Sequence, residues 1–259
     1  MPKFSANLSL LYQDIAFLDR FAAAAKDGFG ALEYLGPYTE PKEKVADALK
    51  ANGLKQALFN VPSGDWAGGQ RGIACLPDRI AEFRAGISLA LDYAKALACP
   101  QVNVISGLVP KGSDLETLEK VLVENLKYAV QRTADAGVKL LIEPINLRDI
   151  PGFFLSTTNH AERILEKVAS DNLYIQYDFY HMQIMQGDLI PTFIRLKDRI
   201  AHVQIADNPG RNEPGTGEIN YGFVLSELDR LGYDGWVGCE YKPKADTSEG
   251  LGWMKPYRK

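Results

Sequence analysis

Three features of the chain predict an α/β fold, a single-domain (β/α)8 TIM barrel spanning residues 1–259. Short apolar runs rich in β-formers alternate with longer segments of helical periodicity, which calls for parallel strands joined by right-handed crossovers. About eight such runs fit into 259 residues, the number a closed barrel needs. The alternative, an open doubly wound sheet, would carry a glycine-rich phosphate turn after its first strand, and "NLSLLYQD" has none.

Strands are expected, in order, in "FSANLSL", "ALEYLG", "QALFNVP", "VNVISG", "KLLIEPIN", "LYIQYDFYH", "AHVQIAD" and "WVGCEYK". Between the first two, Ile15, Leu18 and Phe21 recur at helical spacing and Gly28 is a natural stop. "EPKEKVADALKANG" reads as a shorter helix and "PDRIAEFRAGISLALDYAKALAC" as a long amphipathic one. "SDLETLEKVLVENLKYAVQRTADAG" opens on Ser113 as N-cap with Glu116 three residues later, a capping box. "TTNHAERILEKVAS", "DLIPTFIRLKDR" and "INYGFVLSELDRLG" supply three more helices. No linker or charge block divides the chain.

Hydrophobic residues make up 46% and charged ones 24%, enough for a substantial core. A net charge of -4 offers no general footprint for a polyanion, so nucleic acid is disfavoured as a partner. Cys75, Cys99 and Cys239 have no paired spacing and fit three buried thiols in a reducing cytosol. "MPKFSANLSLLYQD" lacks the basic and apolar regions of a secretory leader, and no apolar run approaches membrane-spanning length. The expectation is a soluble cytoplasmic protein with no membrane partner.

In a barrel of this kind chemistry gathers at the C-terminal strand ends, where polar residues stand out. "KLLIEPIN" carries Glu143 near its end, the sixth run carries Asp178 with His181 three residues later, the seventh carries Gln204 and then Asp207, and the eighth carries Glu240. Oxygen donors converging on one axis repel each other unless a cation lies between them. Glu143, Asp178, Gln204 and Glu240 offer three carboxylates and an amide oxygen, a hard set that suits Mg²⁺ or Mn²⁺ over a thiolate-rich zinc site. The bland alternative for each is a solvated or salt-bridged residue, with Lys242 as the partner of Glu240. His181 then merely fixes Asp178, His202 shares a face with Gln204 as a packed residue, and His160 opens a helix in solvent.

"FSANLSLL", "GDWAGGQRGIACLP", "IEPIN", "IQYDFYHMQ", "HVQIADNPGRNEPGTGEINY" and "GWVGCEYKP" run from end to end, and with them the chain resembles the hydroxypyruvate isomerase family of xylose-isomerase-like barrels. The resemblance implies interconversion of hydroxypyruvate and 2-hydroxy-3-oxopropanoate through a metal-stabilised enediolate. It makes Glu143 and Glu240 the proton-transferring pair and puts Glu143, Asp178, Gln204 and Glu240 on metal-ligand positions. Many members of the superfamily have histidine where this chain has Gln204. His181 and Arg211 match positions that contact substrate in sugar-epimerising relatives.

A 2-oxo or hydroxy acid substrate also brings a carboxylate, for which Arg71, Arg211 and Lys242 are candidates against the alternative of plain surface charges. The glycine-rich "SGDWAGGQRGIACLP" reads as a lid in which Trp66 covers the substrate, or else as a rigid packed loop. Rival activities are a 2-oxo-tetronate isomerase and a ketose 3-epimerase, which use the same enediolate chemistry. A zinc-dependent AP endonuclease-like barrel needs more than three histidines and a basic groove, and a non-catalytic sugar-acid binding barrel needs no proton transfer. Self-association as a homo-oligomer is left open, because no apolar strip marks an interface.

Overall fold

The apolar runs form eight strands, in a computed structural model that describes residues 1–257; the expected domain end at residue 259 lies outside the described residues. They are β1 (Lys3–Asn7), β2 (Ala31–Tyr34), β3 (Lys55–Asn60), β4 (Gln101–Val104), β5 (Lys139–Ile142), β6 (Leu173–Asp178), β7 (Ile200–Ile205) and β8 (Trp236–Cys239). Each pairs in parallel with the next, and β8 returns to β1, so the sheet closes without an edge. Closure explains the composition of the runs: residues facing the axis and residues facing the helices are both buried, so apolar side chains follow one another along the strand.

The outer layer is α1 (Asp19–Lys26), α2 (Lys42–Ala51), α3 (Ile80–Ala96), α4 (Leu115–Asp135), α5 (Thr158–Val168), α6 (Phe179–Met185), α7 (Leu189–Leu196), α8 (Tyr221–Arg230) and α9 (Thr247–Gly250). Three details depart from the sequence reading. The N-cap of α4 is Asp114 and not Ser113: its carboxylate accepts from the N–H groups of Glu116 and Thr117, and its charge suits the positive helix end. α1 begins at Asp19, because residues 8–18 form a loop that Arg20 ties down through the carbonyls of Leu8 and Ile15. α6, absent from the sequence reading, starts directly off β6 and brings His181 into its first turn.

His160, expected in solvent, is half-buried against Phe154 and lies 3.3 Å from Glu119. Cys75, Cys99 and Cys239 are buried free thiols. Among the described residues no helix is long and apolar enough to cross a membrane.

Candidate active site

Glu143 directly follows β5, Asp178 ends β6 and caps α6, and Glu240 directly follows β8. All three sit at C-terminal strand ends and are buried, as is His181. One ligand atom from each of Glu143, Asp178, His181 and Glu240 lies within 4.8 Å of the others. The parallel register forces this convergence: every strand points its last residue to the same rim, and the closed barrel turns that rim into a ring.

The partners set the protonation states. Asp178 Oδ1 accepts the Tyr180 N–H at 2.7 Å, whereas its Oδ2 is buried without a hydrogen bond. Burial, and then the charge on Glu240, push the Asp178 carboxyl up to about 7. Burial followed by Glu240 and Asp178 raises Glu143 well above the usual carboxylate range. Burial raises Glu240 too, opposed by the Arg211 guanidinium, whose Nη2 lies 2.5 Å from Oε2. Burial and then Arg211 hold His181 well below its ordinary value, so the imidazole is neutral at pH 7. Its Nδ1 faces the backbone N–H of Asn146 at 3.5 Å and so acts as an acceptor. The ring proton therefore sits on Nε2, 3.5 Å from Asp178 Oδ2 and 3.7 Å from Glu143 Oε1.

Arg211 takes φ of 55°, a left-handed conformation unusual for a side chain of this size. Its loop is pinned on both sides, by Asp207 N–H to the Asn212 carbonyl at 2.8 Å and Lys242 N–H to the Arg211 carbonyl at 2.7 Å. Asp207 itself is a loop anchor, accepting the N–H groups of Gly215, Gly217 and Ile219. The guanidinium is thus delivered to Glu240 and, at 3.7 Å, to Asp149.

A cavity of about 400 Å³ opens above the carboxylates, at the small end of the ~300–1,000 Å³ range of ligand pockets. Trp66, Arg71, Glu143, Arg211, Glu240 and Lys242 line it, with Leu10, Leu35, Ile105 and Ile145 as apolar wall. Arg71 stacks on Trp66 with 4.3 Å to the ring centroid and donates to the Trp66 and Gln70 carbonyls, so the two side chains form one unit at the rim. Gly72, with φ of +97°, lets this loop press on the Ile105 carbonyl where any Cβ would collide. Asp65 and Gln70 cross-link the loop through three further hydrogen bonds of 2.7–2.9 Å.

Gln204 lies in register with Asp178. Its Nε2 donates to Glu33 at 2.7 Å and its Oε1 accepts from Gln176 at 2.7 Å. His202 is fully buried and donates to Glu33 at 2.8 Å. The sequence reading passed over Glu33, Asn7, Asn103 and Asn146. Asn103 donates to Glu143 Oε2 at 3.0 Å and Asn7 to Glu240 Oε1 at 3.1 Å, so an amide from a neighbouring strand holds each glutamate. A polar residue near the end of an apolar strand, the signal used for Glu143, also marks Asn7 and Asn103.

The cluster makes stability pH-dependent. The folded protein holds the Asp178 and Glu143 protons more tightly than the unfolded chain, so their contribution is present at low pH and lost as pH rises through the raised values, about 7 for Asp178. Between about pH 8 and pH 6 the thermal midpoint of metal-free protein is expected to rise on acidification, and less so in Asp178→Asn. Equal slopes in the two proteins would show that the cluster does not govern this window.

Comparison with known proteins gives the family. Residues 21–257 match the family described as xylose isomerase-like TIM barrel. A 2-oxo-tetronate isomerase from Cupriavidus necator is 49% identical over 257 residues, 99% of each chain. A hydroxypyruvate isomerase from Escherichia coli is 49% identical over 258 residues, 100% of each chain. A solved structure from Brucella melitensis, described as an AP endonuclease of family 2, superposes with a TM-score of 0.97 at 43% identity, covering 100% of both chains. The chain is therefore a member of the xylose isomerase-like TIM barrel family and an enzyme of its isomerase branch.

Proposed function

We propose that the protein interconverts hydroxypyruvate and 2-hydroxy-3-oxopropanoate by moving a proton between adjacent carbons, with Glu143 and Glu240 as the proton-transferring pair. The observation that carries this reading is a set of buried carboxylates within 4.8 Å of one another beneath a cavity of about 400 Å³. One glutamate takes the proton from the carbinol carbon, leaving an enediolate, and the other delivers a proton to the neighbouring carbon. Burial raises both carboxyls above their ordinary range, toward the basicity such a weak carbon acid requires. The second proton passes between the two substrate oxygens, where the His181 Nε2–H and the Arg211 guanidinium are the donors at hand.

The residues fit a divalent cation, because the orphaned Oδ2 of Asp178 and the mutual repulsion of the cluster both call for positive charge. Held by Glu143, Asp178, Glu240 and the carbonyl oxygen of Gln204, Mg²⁺ or Mn²⁺ would supply Lewis-acid polarisation and orient the substrate. The Gln204 oxygen has two lone pairs, so accepting from Gln176 leaves one for this role.

Arg71 and Lys242 line the cavity and, among the described residues, neither forms an ion pair with a carboxylate, which suits them to the carboxylate of the substrate. Replacing either by Ala is expected to raise KM by about tenfold with a smaller effect on kcat, as for a contact made equally in ground and transition states. An unchanged KM in both variants would remove them from substrate binding.

The relatives named 2-oxo-tetronate isomerase make a four-carbon substrate the second reading. Comparing kcat/KM on hydroxypyruvate with that on a 2-oxo-tetronate decides between them, and a preference for the latter overturns the three-carbon assignment. A DNA-cleaving activity is disfavoured by the net charge of -4 and by a cluster with one histidine, buried under a small cavity. The reading is of a cytoplasmic enzyme acting on a small acid, without nucleic-acid or membrane partners.

A further inference from the structure

Glu33, on β2, has no exposed surface, and a carboxylate taken wholly out of water must find donors for both oxygens. It has four. Ser5 Oγ and His202 Nε2 lie 2.8 Å from Oε2, while Gln204 Nε2 and Asn7 Nδ2 lie 2.7 and 3.2 Å from Oε1. The space for it comes from β8: a Cβ on Gly238 would collide with both Glu33 oxygens, so glycine two residues before Glu240 lets the carboxylate sit in the barrel centre. Burial alone would raise Glu33, but the His202 imidazole and the surrounding donors outweigh it and keep the group ionised.

Asn7 is thereby left with one arrangement. Its Oδ1 accepts the Ser9 N–H at 3.0 Å, so the amide cannot flip. One Nδ2 hydrogen goes to Glu33 and the other to Glu240 Oε1 at 3.1 Å. The opposite oxygen of Glu240 is taken by Arg211 at 2.5 Å. Asn103, which holds Glu143, rests instead on the neutral amide oxygen of Asn60 at 3.2 Å. Only the Glu240 arm is anchored on a buried charge, and a hydrogen bond to an ionised acceptor is both stronger and more directional.

We propose that Glu33 and Asn7 are positioning residues for Glu240: the buried Glu33 carboxylate fixes the Asn7 amide, whose second N–H sets the orientation of the Glu240 carboxylate. The effect on turnover rests on the proton-transfer role of Glu240 proposed above; the chain of hydrogen bonds does not.

The test compares Asn7→Ala, Glu33→Gln and the double variant, each on the keto acid that the wild type turns over. Each single variant is expected to lower kcat on the order of 10- to 100-fold with KM within about threefold, as for misplacement of a reacting group. The double variant is expected to be no slower than the slower single one, because both act through one contact. Losses that multiply, or an unchanged kcat in folded Asn7→Ala, would overturn the proposal. A second cycle, Asn7→Ala against Glu240→Ala read in thermal midpoints, removes the Glu240 acceptor outright, needs no substrate and retains Glu33 should its replacement fail to fold. Non-additive midpoints support the linkage and additive ones overturn it, even if the wild type isomerised no keto acid and the functional reading had failed.

Discussion

Glu143→Gln and Glu240→Gln are each expected to lower kcat on the order of 10³- to 10⁴-fold, the upper range of what general acid–base catalysis supplies. The amide is isosteric with the carboxylate and keeps an oxygen for a cation, but it neither takes a proton from carbon nor returns one. Folding should survive, since both side chains sit in a polar cluster and Asn103 and Asn7 can still donate to the remaining carbonyl oxygen. In metal-free protein the thermal midpoint of Glu143→Gln should hold or rise at pH 8. Burial and the charges of Glu240 and Asp178 already oppose ionisation of Glu143, so neutralising one member relieves the others. A variant that folds and still shows a metal-dependent midpoint but has lost turnover isolates the proton-transfer role. Near-normal kcat in either variant takes that glutamate out of the reaction.

Removing divalent metal with a chelator is expected to cost at least about 10²-fold in kcat, a few kcal/mol of lost electrostatic assistance, recovered on adding Mg²⁺ or Mn²⁺. The same addition should raise the thermal midpoint, because an ion at 100 times its dissociation constant stabilises the folded state by about 2.7 kcal/mol. The grounds are local: the carboxylates of Glu143, Asp178 and Glu240 bring oxygens within 4.8 Å of one another, and the buried Asp178 Oδ2 has no hydrogen bond. Asp178→Asn should weaken the midpoint shift while leaving the barrel intact. If exhaustively chelated protein, shown by elemental analysis to hold no metal, keeps its activity and its midpoint, the cation has no part in the reaction, and Arg211 and His181 alone face the developing charge.

The barrel was legible because burial on both faces leaves a simple trace, apolar runs such as "LYIQYD" and "AHVQI" separated by helical periodicity. Glu143, Asp178 and Glu240 stood out for the same reason, as charges where the pattern demands apolar residues, and the structure brings them together with His181. Glu33 escaped notice: one glutamate in "ALEYLG" looks like the solvent-facing residue of an alternating strand, and nothing local shows that Gly238, 205 positions away, leaves a space for it. Asn7 and Asn103 were passed over because asparagine near a strand end is ordinary where a turn follows.

By itself, then, the sequence determined the order of strands and helices, the end of the barrel at which charges gather and the chemical type of the groups there, all of which follow from local periodicity and from the rarity of charge in buried strands. Tertiary structure alone decided the partners: that His202 donates to Glu33, that Glu33 holds Asn7 and Gln204, and that Arg211 reaches Glu240 from a left-handed turn. The reason is physical. A hydrogen bond is settled within a few tenths of an ångström, and closing the barrel brings such atoms into range from residues as far apart as 7 and 240.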